Sequence, residues 1–145
     1  MKAIVITLFV TFSAMLFSYQ HAQAQCKAFT KKKCLDVLEG YTGNGQYNGA
    51  VMFEGEEATL SQTFYSGKEY RLFVCAYPSI KDSIYFEVTD YRKELLYSSK
   101  GKDEQIFDFS VESTQQLYVR MIVPKMGTSN ELKKNGCVSV LVGFK

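Results

Sequence analysis

The 145-residue chain has no tryptophan and only one histidine, His21, and its charges nearly cancel at +2. Each shortage excludes a class of chemistry. His21 lies in an N-terminal segment expected to be removed on export, so the mature chain has no imidazole. That excludes a Ser–His or Cys–His nucleophile pair and any histidine-bearing zinc site. Lys2 is the only charged residue among the first 24, so the mature chain carries +1. So even a balance offers no strongly basic face, and no nucleic-acid partner is expected. The acidic groups Glu54, Glu56, Glu57 and Asp103, Glu104, Asp108 lack the D-x-D-x-D spacing of a calcium loop. No cofactor is expected.

Long apolar runs are scarce too. The one run, Ala3 to Phe17, is an apolar stretch of roughly 14 residues, short of the roughly 20 that span a bilayer. Met1-Lys2 before it and Ala22-Gln23-Ala24 after it complete a secretory signal. Residues 1–24 are therefore expected to be a cleaved signal peptide and 25–145 a single domain, periplasmic or extracellular, with no stable membrane span. Cys26 follows Gln23-Ala24-Gln25, which lacks the branched apolar and small residues of a lipoprotein box. Soluble export is the expectation.

What the chain does have is four cysteines, Cys26, Cys34, Cys75 and Cys137, all beyond the cleavage point. An even number in a small exported chain reads as two disulfides, and no C-x-x-C motif argues for metal or redox chemistry. Lys27 to Glu39 has apolar residues at helical spacing and Gly40 to stop it, so it predicts a short helix. Lys31, Lys32 and Lys33 then face solvent. Across a continuous helix Cys26 and Cys34 stand about 12 Å apart, beyond the reach of a disulfide, so each is expected to bridge to the sheet. A broken helix leaves Cys26–Cys34 with Cys75–Cys137 as the competing pairing.

After the glycine-rich loop Gly40 to Gly49 the period changes to two. Strands are expected at Ala50–Phe53, Thr59–Tyr65, Tyr70–Ala76, Asp82–Asp90, Glu94–Ser98, Ile106–Val111, Gln116–Val123 and Val138–Phe144. About eight short strands separated by turns predict an all-β, antiparallel, jelly-roll-like sandwich with a short N-terminal helix. Tyr70, Leu72 and Val74 share one face, as do Val138, Val140 and Val142. Cys75 and Cys137 thus point outward beside the apolar Phe73 and Leu141. A covering element is required, and the helix is the candidate.

Three functional classes fit. The first is a non-catalytic module binding an envelope or extracellular macromolecule, protein first and glycan second. Its candidate surface is Lys31, Lys32, Lys33, Tyr41 and Tyr47, since tyrosines beside Asn44 and Asn48 could stack on a sugar and the lysines meet a polyanion. The second is a glycan hydrolase using a pair of the carboxylates named above. The third is a structural subunit of a surface assembly. No residue carries a catalytic signature, so the first class is preferred.

Gly55 to Leu60, then Thr63 to Leu72 with its Ser66-Gly67-Lys68-Glu69-Tyr70 turn, Val88-Thr89-Asp90, Leu95 to Ser98 and Phe107 to Val123 resemble bacterial pre-peptidase C-terminal and GOLD-like domains. The closing Gly136 to Lys145 is similar to small exported bacterial β-sandwich proteins without an assigned activity. The resemblance implies a jelly-roll-like sandwich that is not an enzyme. It transfers no functional residue.

Overall fold

The computed structural model describes residues 25–127 and 132–145. The expected signal, 1–24, lies outside the described residues. Among the described residues there are nine strands: β1 (Thr42–Gly43), β2 (Asn48–Phe53), β3 (Glu57–Phe64), β4 (Glu69–Ala76), β5 (Tyr85–Thr89), β6 (Leu95–Ser98), β7 (Ile106–Ser110), β8 (Gln115–Ile122) and β9 (Asn135–Phe144). Eight match the expected segments to within a few residues. The addition is β1, a two-residue strand inside the glycine-rich loop.

The pairing is that of a ribbon folded double and then rolled up. β2 pairs with β9, β3 with β8, β4 with β7 and β5 with β6, all antiparallel. Rolling then joins β4 to β9 and β5 to β8. The result is a jelly roll of two sheets, β2-β9-β4-β7 with β1 extending the β2 edge, and β3-β8-β5-β6. Period-two apolar residues turn inward from both: Leu72, Val74, Val138, Val140 and Val142 from the first, and Phe86, Val88, Leu117, Val119 and Met121 from the second. These faces form the main core, and their burial supplies the driving force for the fold.

A second, smaller core lies on the outer face of the β9-containing sheet. Cys34, Leu38, Cys75 and Leu141 are buried there, with Phe29, Leu35, Tyr47 and Phe73 packed against them. The N-terminal segment is the cover. Both disulfides run from it to the sheet, Cys26–Cys137 and Cys34–Cys75, with Cα separations of 5.2 and 6.0 Å. Between them the buried Thr30 hydroxyl donates to the Cys26 carbonyl at 2.8 Å and lies 2.5 Å from the Ser139 hydroxyl.

The segment is not one continuous helix through Glu39. An α-helix covers 25–33, a turn follows at Cys34, and a 3-10 turn runs Leu35–Leu38. The tighter turn places residues three apart on one side, so Leu35 and Leu38 both face the small core. Arg71 in β4 donates from Nη1 to the Val37 carbonyl at 3.1 Å and holds that end down.

Candidate functional site

The sequence-derived surface divides in the folded chain. Lys31, Lys32 and Lys33 are all exposed, as expected. Lys31 lies over the Tyr47 ring at 5.4 Å with Lys27 at 5.8 Å, so these residues form one cluster. Lys33 belongs to a different place, a groove of about 1190 Å³ bounded by the helix, the end of β4 and the loops 77–85 and 99–106. Two other cations lie over the Tyr41 ring, Arg71 at 4.7 Å and Lys145 at 4.9 Å. Each tyrosine ring is thus engaged by two cations of its own chain. Asn44 is occupied in its own loop, where its Oδ1 accepts the Gln46 N–H at 3.0 Å.

The carboxylates are similarly engaged. Glu54 accepts the Met126 N–H at 3.1 Å, Glu56 accepts the Phe53 N–H at 2.9 Å, and Glu57 pairs with Arg120 at 3.3 Å. Asp108 takes Arg71 in a two-pronged bond at 2.8 and 2.6 Å. Those hydrogen bonds hold the Asp108 carboxyl below the usual carboxylate range and raise the Arg71 guanidinium, while partial burial opposes both shifts. Asp103 and Glu104 line the groove. Among the described residues no three His, Cys, Asp or Glu side chains converge as a metal site.

The best-organised projecting element is the connection from β3 to β4, Tyr65 to Lys68, which crosses from one sheet to the other. Its conformation is imposed by side chains. The buried Tyr70 hydroxyl accepts the Tyr65 N–H at 2.7 Å and donates to the Tyr65 carbonyl at 3.1 Å. The Ser66 N–H donates to Thr114 Oγ1 in the neighbouring β7–β8 connection at 3.2 Å. Gly67 has φ +78°, a conformation that favours glycine. Tyr70 in turn is locked by its ring, edge-on to Phe64 at 4.9 Å and stacked on Phe109 at 5.7 Å.

This rigid turn presents Tyr65 at 58% exposure. Beside it is an open, shallow depression of about 610 Å³ lined by Lys68, Glu69, Glu112 and Lys145. Lys68 lies over the Phe144 ring at 4.1 Å, and Lys145 pairs with Glu69 at 3.1 Å. An exposed aromatic on a pre-ordered turn, ringed by charges of both signs, is suited to entering a pocket on another protein with little ordering entropy to lose. Sequence reasoning missed Tyr65 by assigning it to the end of a strand. The available signal was a tyrosine five residues before a second one, across a Ser-Gly turn.

No family model matches the chain, and no curated protein matches it. Among solved structures it is similar to PliG of Aeromonas hydrophila, a periplasmic lysozyme inhibitor of g-type lysozyme. That likeness has 9% identity and a TM-score of 0.51, covering 74% of this chain and 90% of that one. At this identity it speaks to the fold: two proteins with little sequence in common share the sandwich.

Proposed function

We propose that this protein is an exported, non-catalytic module that binds another protein through the β3–β4 turn, and that its first candidate partner is a glycan-cleaving enzyme of the cell envelope. The observation that carries this reading is the pre-ordered turn with Tyr65 exposed on it and Tyr70 bracing it from below. Two disulfides support an oxidising compartment, and the N-terminal run supports export to it. The jelly-roll likeness to a protein described as a lysozyme inhibitor supports a partner of that kind. Four of the six carboxylates first considered for catalysis are engaged in structural contacts, which weighs against the hydrolase reading.

The test is an inhibition assay. The purified mature protein is titrated into g-type and c-type lysozymes acting on bacterial cell walls, alongside crosslinked capture from intact envelopes. Inhibition of one enzyme, weakened at least tenfold by Tyr65→Ala with the melting temperature unchanged, is the expected result. No inhibition together with no captured protein sinks the reading. Glycan arrays then become the next experiment.

A further inference from the structure

We infer that Asn44 is a covalent modification site, at which the folded chain converts its own asparagine to aspartate and isoaspartate. The sequence has three Asn-Gly pairs, Asn44-Gly45, Asn48-Gly49 and Asn135-Gly136. In such a pair the glycine main-chain nitrogen can attack the asparagine carboxamide carbon, because the glycine has no side chain to hinder the approach. The new N–C bond closes a succinimide ring. The Nδ2 group leaves as ammonia and carries away the proton that the glycine nitrogen loses. Water then opens the ring at one of its two carbonyls, giving aspartate or isoaspartate. Water is the only co-reactant, and nothing is oxidised or reduced.

The fold obstructs this chemistry at two of the pairs. Asn48 and Gly49 lie in β2 opposite Val140 and Ser139 of β9, and the Gly49 N–H is already donated to the Tyr47 carbonyl at 2.9 Å. A carbon added at Gly49 would lie 2.6 Å from Ser139 Oγ. Asn135 and Gly136 begin β9 opposite Phe53 and Met52, and a carbon added at Gly136 would lie 2.7 Å from Tyr77 Cβ. The ladder holds both segments extended, and the crowding leaves no room for the main chain to bend into a ring. Gly45 is the contrast. It is exposed and outside any strand, with φ +75° and open space where a side chain would be.

Asn44 is also held in position for the attack. Its N–H donates to the Val142 carbonyl at 2.9 Å, which fixes its main chain. Its Oδ1 accepts the Gln46 N–H at 3.0 Å, a bond that turns the carboxamide back along the Gly45 peptide. That oxygen gains negative charge as the nitrogen adds, so the same N–H stabilises the tetrahedral intermediate. The departing Nδ2 has only a long contact, 3.4 Å to Gln46 Oε1. Either product adds one negative charge to the loop between Tyr41 and Tyr47. Isoaspartate also inserts a carbon into the main chain beside β1, which loosens its two-residue pairing with β9.

The purified mature protein, aged at alkaline pH and physiological temperature, tests this by peptide mapping that separates aspartate from isoaspartate. The comparison is the same chain reduced and held in denaturant. There the three asparagines should react at rates within about threefold of one another, whereas in the folded protein Asn44 should outpace each of the others by about tenfold or more. Folded Asn44→Gln, which would have to close a larger ring, should lose the main acidic species on ion exchange. Asn48 or Asn135 keeping pace with Asn44 in the folded protein overturns the inference, as does ageing that leaves Asn44 unchanged. A preference for Asn44 already present in denaturant overturns it too, because the fold then selects nothing. Persistence of the acidic species in Asn44→Gln does the same.

Discussion

Replacing Tyr70 by phenylalanine separates the bracing of the turn from its exposure. The ring stays, with its contacts to Phe64 at 4.9 Å and Phe109 at 5.7 Å, so packing is unchanged. Only the hydroxyl is lost, and with it the bonds to the Tyr65 N–H and carbonyl at 2.7 and 3.1 Å. Each such bond is worth about 0.5–1.5 kcal/mol net, and a buried group left unpaired costs more. Tyr65 is exposed, however, so water can reach the freed main-chain groups and offset part of the loss. The expected destabilisation is about 1 kcal/mol, which for a domain of this size lowers the melting temperature by about 3–5 °C. Tyr65→Ala, by contrast, removes a side chain with little to hold it and should stay within about 0.5 kcal/mol of the parent. Calorimetry reads the stabilities, and amide hydrogen exchange reads the turn. In Tyr70→Phe the Tyr65 amide should lose protection while amides in the centre of β4 keep theirs. An unchanged Tyr65 exchange rate together with an unchanged melting temperature would show that the hydroxyl does not order the turn, and the argument for a pre-organised site would fail with it.

Replacing Cys34 and Cys75 together by alanine opens a loop of 41 residues and should lower stability by about 4 kcal/mol, measured by denaturant unfolding with Cys26–Cys137 intact. Gly143→Ala should cost about 1–3 kcal/mol in the same assay, because the added Cβ would lie 2.7 Å from Tyr41 Cβ, an atom fixed to the backbone. Asp108 has a folded pKa below its unfolded value of about 4, so its stabilising contribution is fully present above that value and lost as pH falls through the folded one. The stability gap between the parent and Asp108→Asn should therefore be level from pH 7 to about 5 and shrink below about pH 4; a constant gap down to pH 2 would contradict the Arg71 linkage.

Period-two alternation was enough to read the sheets, because each face of a strand is decided by residues two apart in the same segment. It gave the inward face of β4 and β9, and from the phase of Cys75 and Cys137 it gave the need for a cover on the outer face. The break at Cys34 was not legible. It depends on Leu35 and Leu38 both facing Leu141 and on Arg71 reaching the Val37 carbonyl, contacts with strands more than thirty residues away. For the same reason Tyr41 and Tyr47 looked like one surface in sequence but belong to two: β1 and β2 pair with different ends of β9, and the tyrosines beside them meet different cations.

Alternation says which side of a strand is buried, but it cannot say whether the strand is central or at an edge. Asp82–Asp90 and Glu94–Ser98 both read as strands; the sheet order makes β5 central and leaves β6 with a free side. That is why Leu95 and Leu96 are unremarkable in sequence and conspicuous in the fold. The β3–β4 turn has the same origin, since Tyr70 can brace Tyr65 only when the chain crosses between sheets there. The proposed surface thus arises at a place where the jelly roll stops pairing, at the end of the sandwich. Tyr65→Ala should therefore keep the melting temperature of the parent while weakening the inhibition seen with the isolated enzyme, because the side chain lies outside both cores.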